Sequence, residues 1–175
     1  NVTITDARSN GISVDFDDLW LSNVSITIPD LATDAGRPGT NWNPDGAVYH
    51  DPTSTSGSSF YAYNLDLEGY YRAVYTQATD SVTMDDIVGT GMEGFISVIP
   101  AGSNTVMGPT GDDAVFQDID VTGTSSSQSQ LYLERTRPTS IDNVAFTTTG
   151  TAPGLHFVGS SPDSGKVFVN NYDGA

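Results

Sequence analysis

Cysteine is absent from this chain, and lysine occurs once, at Lys166. Without cysteine there is no disulfide and no thiolate metal site, and the redox compartment cannot be inferred. A zinc site would have to use the two histidines, His50 and His156, with carboxylates. They lie far apart in unrelated contexts, and no metal-ligand spacing joins them. No apolar run approaches the roughly 18 residues that a membrane-spanning helix needs. No window carries a helical stripe of useful length, and no period of fixed length repeats, which argues against a propeller or solenoid. There is no signal peptide and no initial methionine, so the expectation is that a leader was removed or that leading residues are absent. A G-x-S-x-G elbow is also missing, and no histidine-, cysteine- or glycine-based catalytic arrangement stands out. The chain is expected not to be an enzyme.

Positive charge is the other scarcity. Twenty-two acids face six bases, for a formal net charge of −16, and nearly all the acids are aspartate. No basic patch exists to meet phosphates, which disfavours nucleic acid as a partner. An Asp-rich, Lys-poor composition suits a protein of a high-salt environment. At about 1 M salt the Debye length falls to roughly 3 Å and a dense acidic surface stops repelling itself. At low salt the same surface strains the compact state.

What the chain does have is alternation. Ser58 to Gln77 holds five of the eight tyrosines and no proline. Tyr61, Tyr63, Leu65 and Leu67 share one face of a strand, with Asn64 and Asp66 opposite; Glu68-Gly69 interrupts, and Tyr71, Ala73 and Tyr75 resume. Similar short segments run from Asn1 to Thr5, Ile12 to Phe16, Leu19 to Ile28, Glu93 to Ile99, Ala114 to Thr122, Gln130 to Arg135 and Ile141 to Thr149, then to the C-terminal end. Leu31 to Ser59 reads as a long irregular segment in which only Ala47 to Tyr49 is strand-like. Residues 1–175 form one domain of a size that can bury a single core. Short strands spaced by turn residues predict an all-β sandwich, most simply a single jelly roll with long loops. Its core is expected to bury Trp20, Val24, Ile26, Tyr63, Leu65, Phe95, Val98, Val121, Leu131 and Phe146.

Few residues nominate themselves for a site. Asp15, Asp17 and Asp18, and separately Asp112 and Asp113, offer oxygen ligands near turns. Calcium is the ion they suit, although no EF-hand spacing is present. No other cofactor is indicated. Glu68, Glu93 and Glu134 read as solvent-facing strand residues rather than a glycosidase pair. Trp42, in the loop Asn41-Trp42-Asn43-Pro44, is the aromatic best placed to stack on a sugar. Asn1 and Asn23 match the glycosylation sequon.

In composition and expected fold the whole chain resembles the single jelly-roll capsid proteins of viruses that infect halophilic archaea. That resemblance implies a self-assembling building block of a virion capsid or surface layer, partnered by its own copies and by other capsid or surface proteins. It places the chain on a virion or outside the cell, in high salt. A second resemblance carries the alternative. Ile141-Asp142-Asn143-Val144-Ala145-Phe146 is similar to a strand near the end of many jelly-roll sugar-binding modules, which implies a carbohydrate-binding module of a secreted protein with a polysaccharide partner. In those modules the domain usually ends there, whereas here nearly thirty residues follow.

Overall fold

A computed structural model describes residues 1–5, 11–27, 46–53, 57–69, 72–92, 96–99, 114–123, 130–134, 139–148, 154–158 and 167–174. Every regular element among them is a strand. In order these are β1 (Val2–Thr5), β2 (Ile12–Val14), β3 (Asp18–Thr27), β4 (Gly46–His50), β5 (Ser59–Glu68), β6 (Arg72–Thr76) and β7 (Ser81–Met92). Then come β8 (Ile96–Val98), β9 (Ala114–Gly123), β10 (Leu131–Glu134), β11 (Thr139–Thr148), β12 (Leu155–Val158) and β13 (Val167–Gly174). The segments expected from alternation are mostly strands. How they pair is not as expected.

The odd-numbered strands form one sheet, in the order β1-β3-β5-β7-β9-β11-β13; the even-numbered strands form a second, in the order β12-β10-β8-β6-β4-β2. Every pairing in both sheets is parallel. The chain therefore alternates between sheets, each strand landing beside the strand two before it. The jelly-roll sandwich is overturned, since that fold pairs its strands antiparallel. Parallel neighbours ordinarily need a helical crossover. Here the crossover is a strand of the opposite sheet, and the chain winds as a stack of coils, the architecture of a β-solenoid.

The missing period has a simple cause. Leu65 pairs with Ile87, 22 residues on, whereas Val24 pairs with Leu65, 41 residues on. Coils of unequal length stack in register without repeating at a fixed interval.

Side chains that point into the coil stack in columns about 4.8 Å apart, the parallel strand spacing. Val24, Leu65, Ile87, Ile119 and Val144 make one column; Ile26, Leu67, Gly89, Val121 and Phe146 make another. Val48, Val74, Ile96 and Leu131 answer them from the second sheet. All of these apolar side chains are buried in one continuous core. Gly89 is small by necessity, because a Cβ there would lie 3.0 Å from Val121 Cγ1.

Of the residues expected inside, Val24, Ile26, Leu65, Val98, Val121, Leu131 and Phe146 are buried. Phe95 lies outside the described residues. Trp20 and Tyr63 reverse the expectation, being 72% and 52% exposed. The reason lies in the backbone at Asn23 and Asn64, where φ is 56° and 54°. A left-handed residue within a strand turns the chain and resets the in–out alternation. The inward residues of β5 are Phe60 and Ala62 before the bend, and Leu65 and Leu67 after it. Counting every second residue through Asn64 puts Tyr63 on the wrong side. The same slip at Asn23 misplaces Trp20.

Candidate functional site

The bend recurs on every long strand of the first sheet that the register aligns. Asn23, Asn64, Asp86, Asp118, Asn143 and Asn171 all have φ between 48° and 58°, and each lies beside the next. Asn and Asp tolerate this conformation better than other residues with a Cβ. Stacking then links their side chains. Asn64 Nδ2 donates to Asn23 Oδ1 at 2.7 Å, Asn171 Nδ2 donates to Asn143 Oδ1 at 2.8 Å, and Asn143 Nδ2 donates to Asp118 Oδ1. A parallel bond joins Asn170 Nδ2 to Asp142 Oδ1 at 2.7 Å. The stretch Ile141–Phe146 is one rung of this ladder, with Asn143 at its bend.

Immediately before the bend, two rows of outward side chains cross β3, β5 and β7. Trp20, Tyr61 and Thr83 align in one row; Ser22, Tyr63 and Asp85 align in the next. Together with Leu21 and Ala62 they line a groove of about 250 Å3. The Trp20 and Tyr61 rings lie 4.1 Å apart at 31°, and Tyr61 is held from below by a hydroxyl contact with Ser81 at 2.6 Å. The Tyr61 ring is thus held by Ser81 and Trp20, yet Trp20 and Tyr63 stay open to solvent.

Asp85 is the carboxylate in this groove. Burial raises its pKa, and the charges of Asp118 and Asp86 raise it further. Asp118 moves the other way: hydrogen bonds from Asn143 and Gln117 hold its carboxyl below the usual range. The contrast follows from position, since Asp118 belongs to the hydrogen-bonded ladder and Asp85 to the aromatic groove.

Asp15, Asp17 and Asp18 stand exposed on the turn from β2 into β3. Asp18 Oδ1 accepts the Ser59 N–H at 3.1 Å, and the Asp17 carbonyl accepts it at 3.0 Å. Among the described residues no group of three or more His, Asp or Glu side chains is placed to hold a metal ion. Asp112, Asp113 and Trp42 lie outside the described residues. His50 is fully buried, and His156 is exposed, edge-on to Tyr132 at 5.1 Å. Asn23, one of the sequon asparagines, is committed to the ladder, donating also to Ser22 Oγ at 2.7 Å.

Trp20, Tyr63 and Asp85 are the residues that sequence reasoning missed as a group. A signal was there. Leu21-Ser22-Asn23-Val24, Ala62-Tyr63-Asn64-Leu65, Met84-Asp85-Asp86-Ile87, Phe116-Gln117-Asp118-Ile119 and Ile141-Asp142-Asn143-Val144 share one pattern, apolar, any, Asn or Asp, apolar. Aligned on the third position, they place residues 22, 63 and 85 in one outward row. Compared with known proteins, the chain matches no family model, no curated protein and no solved structure.

Proposed function

We propose that this chain is a non-catalytic binding solenoid whose groove on the first sheet docks an extended polysaccharide. The observation that carries the reading is the pair of exposed aromatics, Trp20 and Tyr63, on neighbouring strands beside the fixed ring of Tyr61. Large apolar rings are normally buried. Where the fold holds them open and rigid beside polar groups, they offer flat faces to a ligand with an apolar side and hydrogen-bonding edges. A sugar ring is such a ligand. A stack of parallel strands also repeats along its axis, as a polymer does.

A binding role rather than catalysis is supported by His50, one of the two histidines. His50 Nε2 donates to the Phe16 carbonyl at 2.8 Å, so Nδ1 accepts from the Thr76 hydroxyl at 2.9 Å. Both nitrogens are engaged inside the core. An extracellular, high-salt setting accords with the −16 charge.

The test is affinity electrophoresis through gels loaded with neutral and charged polysaccharides. Retardation is expected in at least one, and Trp20→Ala should weaken it about tenfold, the loss of one good stacking contact. Trp20→Ala should leave the melting temperature in place. Migration unchanged in every gel would overturn the reading.

A second reading, a self-assembling block of a capsid or surface layer, is favoured by one feature. Phe157 on β12 and Val169 on β13 continue the inward columns of Leu133 and Ile141, yet are exposed on the last strand of each sheet, and exposed apolar side chains mark contact surfaces. Mass photometry in molar salt tests it: defined oligomers are expected, and a monomer throughout would remove it.

A further inference from the structure

We propose that the groove selects a polysaccharide bearing free amines, recognised by stacking on Trp20 and Tyr63 and by ion pairing to Asp85 and its neighbours along the ladder. This rests on the polysaccharide reading above and names the class of sugar.

The charge of the whole sheet is the first argument. Its seven strands contain no Lys, Arg or His; apart from tyrosine, every ionisable side chain on them is a carboxylate. A ligand lying across these strands meets one sign of charge. Uronate and sulfated polymers are repelled by it, and an ammonium is attracted.

Position is the second argument. Asp85 lines the groove, in register with Tyr63 on one side and Gln117 on the other. Asp86 and Asp118 follow it on the adjacent ladder row, and Asp142 continues the row of Asp85 beyond Gln117. A sugar seated on Tyr63 would place a ring substituent toward Asp85, while the next sugars along the axis would reach Asp118 and Asp142.

The chemistry of the aromatic rings is the third. The faces of Trp and Tyr attract cations as well as sugar C–H groups. The same platform therefore serves an amino sugar twice. The raised pKa of Asp85 accords with this, since burial and the like charges of Asp118 and Asp86 leave its carboxylate in an environment that a bound ammonium would relieve.

Isothermal titration with glucosamine oligomers, the same backbone N-acetylated, and a uronate oligomer tests the proposal, at about 0.1 M and about 2 M KCl. Glucosamine oligomers should bind at least tenfold tighter than the N-acetylated ones at low salt, and the ratio should shrink at high salt. Asp85→Asn should narrow the ratio without weakening the N-acetylated ligand, and Trp20→Ala should weaken both. Equal or tighter binding of the N-acetylated oligomer overturns the amine preference and leaves the groove reading standing. Binding of none overturns both. Glucosamine binding that survives Trp20→Ala and is matched by polylysine would mean a polycation adhering to an acidic surface, and would also sink the proposal.

Discussion

His50 occupies an inward column between Val14 and Thr76, where an isoleucine would be the ordinary choice. It is tolerated because both ring nitrogens are satisfied, as a buried polar group requires. Burial lowers its pKa below the usual 6.5; the Phe16 carbonyl and Asp51 only partly offset this. The folded state then binds the proton less readily than the unfolded chain does. Stability from this residue is full above about 6.5 and is lost as pH falls through that value toward the lower folded one. Melting temperatures from about pH 7.5 to 5 should fall more steeply for the parent chain than for His50→Gln. Identical slopes would contradict it.

Asp85 has the opposite sign. Its pKa is raised, so its carboxylate costs stability above the folded pKa, and that cost disappears as pH falls and the group is protonated. Asp85→Asn should raise the melting temperature at neutral pH, and the gain should vanish in acid. At Asn64 the backbone decides the outcome. Asn64→Gly keeps the left-handed bend and loses a hydrogen bond, costing about 1 kcal/mol. Asn64→Val adds left-handed strain and should cost about 2–3 kcal/mol. Urea melts of the two variants check the order, and a milder loss for valine would contradict the role given to the bend.

At the scale of the strand, β5 shows how one residue changes the reading of ten. Phe60, Ala62, Leu65 and Leu67 are buried, with a step of three across Asn64. Leu65→Ala should cost about 2–5 kcal/mol, because it opens a cavity in a packed column. Tyr63→Ala, on the outward face, should cost under about 0.5 kcal/mol. A sandwich with Tyr63 in its core requires the reverse. The strands themselves were legible, because alternation survives on each side of a bend. Their pairing was not, since hydrogen bonding between parallel strands leaves no mark on composition, and coils of 22 and 41 residues hide the repeat. Nor is the groove legible without a reset of phase, because an uncorrected count puts Trp20 and Tyr63 in the core. The clue is an Asn or Asp with an apolar residue just after it and another two before it, which looks like a turn signal when read alone.

On the scale of the whole molecule, charge and stacking oppose each other. The core is one continuous cluster that runs through the stacked coils, so each coil is stabilised by its neighbours. The chain carries a net charge of −16. At about 0.01 M salt, where the Debye length is near 30 Å, those charges repel across several coils; at molar salt they do not. Melting temperature should therefore rise steadily from about 0.05 to 3 M KCl, helped by the effect of excluded salts on apolar burial. A flat or falling curve would remove the high-salt reading. Adding a chelator at each salt concentration tests calcium separately: a drop would locate an ion that stabilises the fold.

The central claim is that left-handed residues at Asn23 and Asn64 turn Trp20 and Tyr63 out of the core and into a ligand groove. Fluorescence tests this most directly in a Trp42→Phe variant, which leaves Trp20 as the only tryptophan. The account predicts red-shifted emission that acrylamide quenches freely, and that bound oligosaccharide protects from quenching. Blue-shifted emission shielded from acrylamide in the folded, ligand-free protein would put Trp20 inside, and would contradict the account.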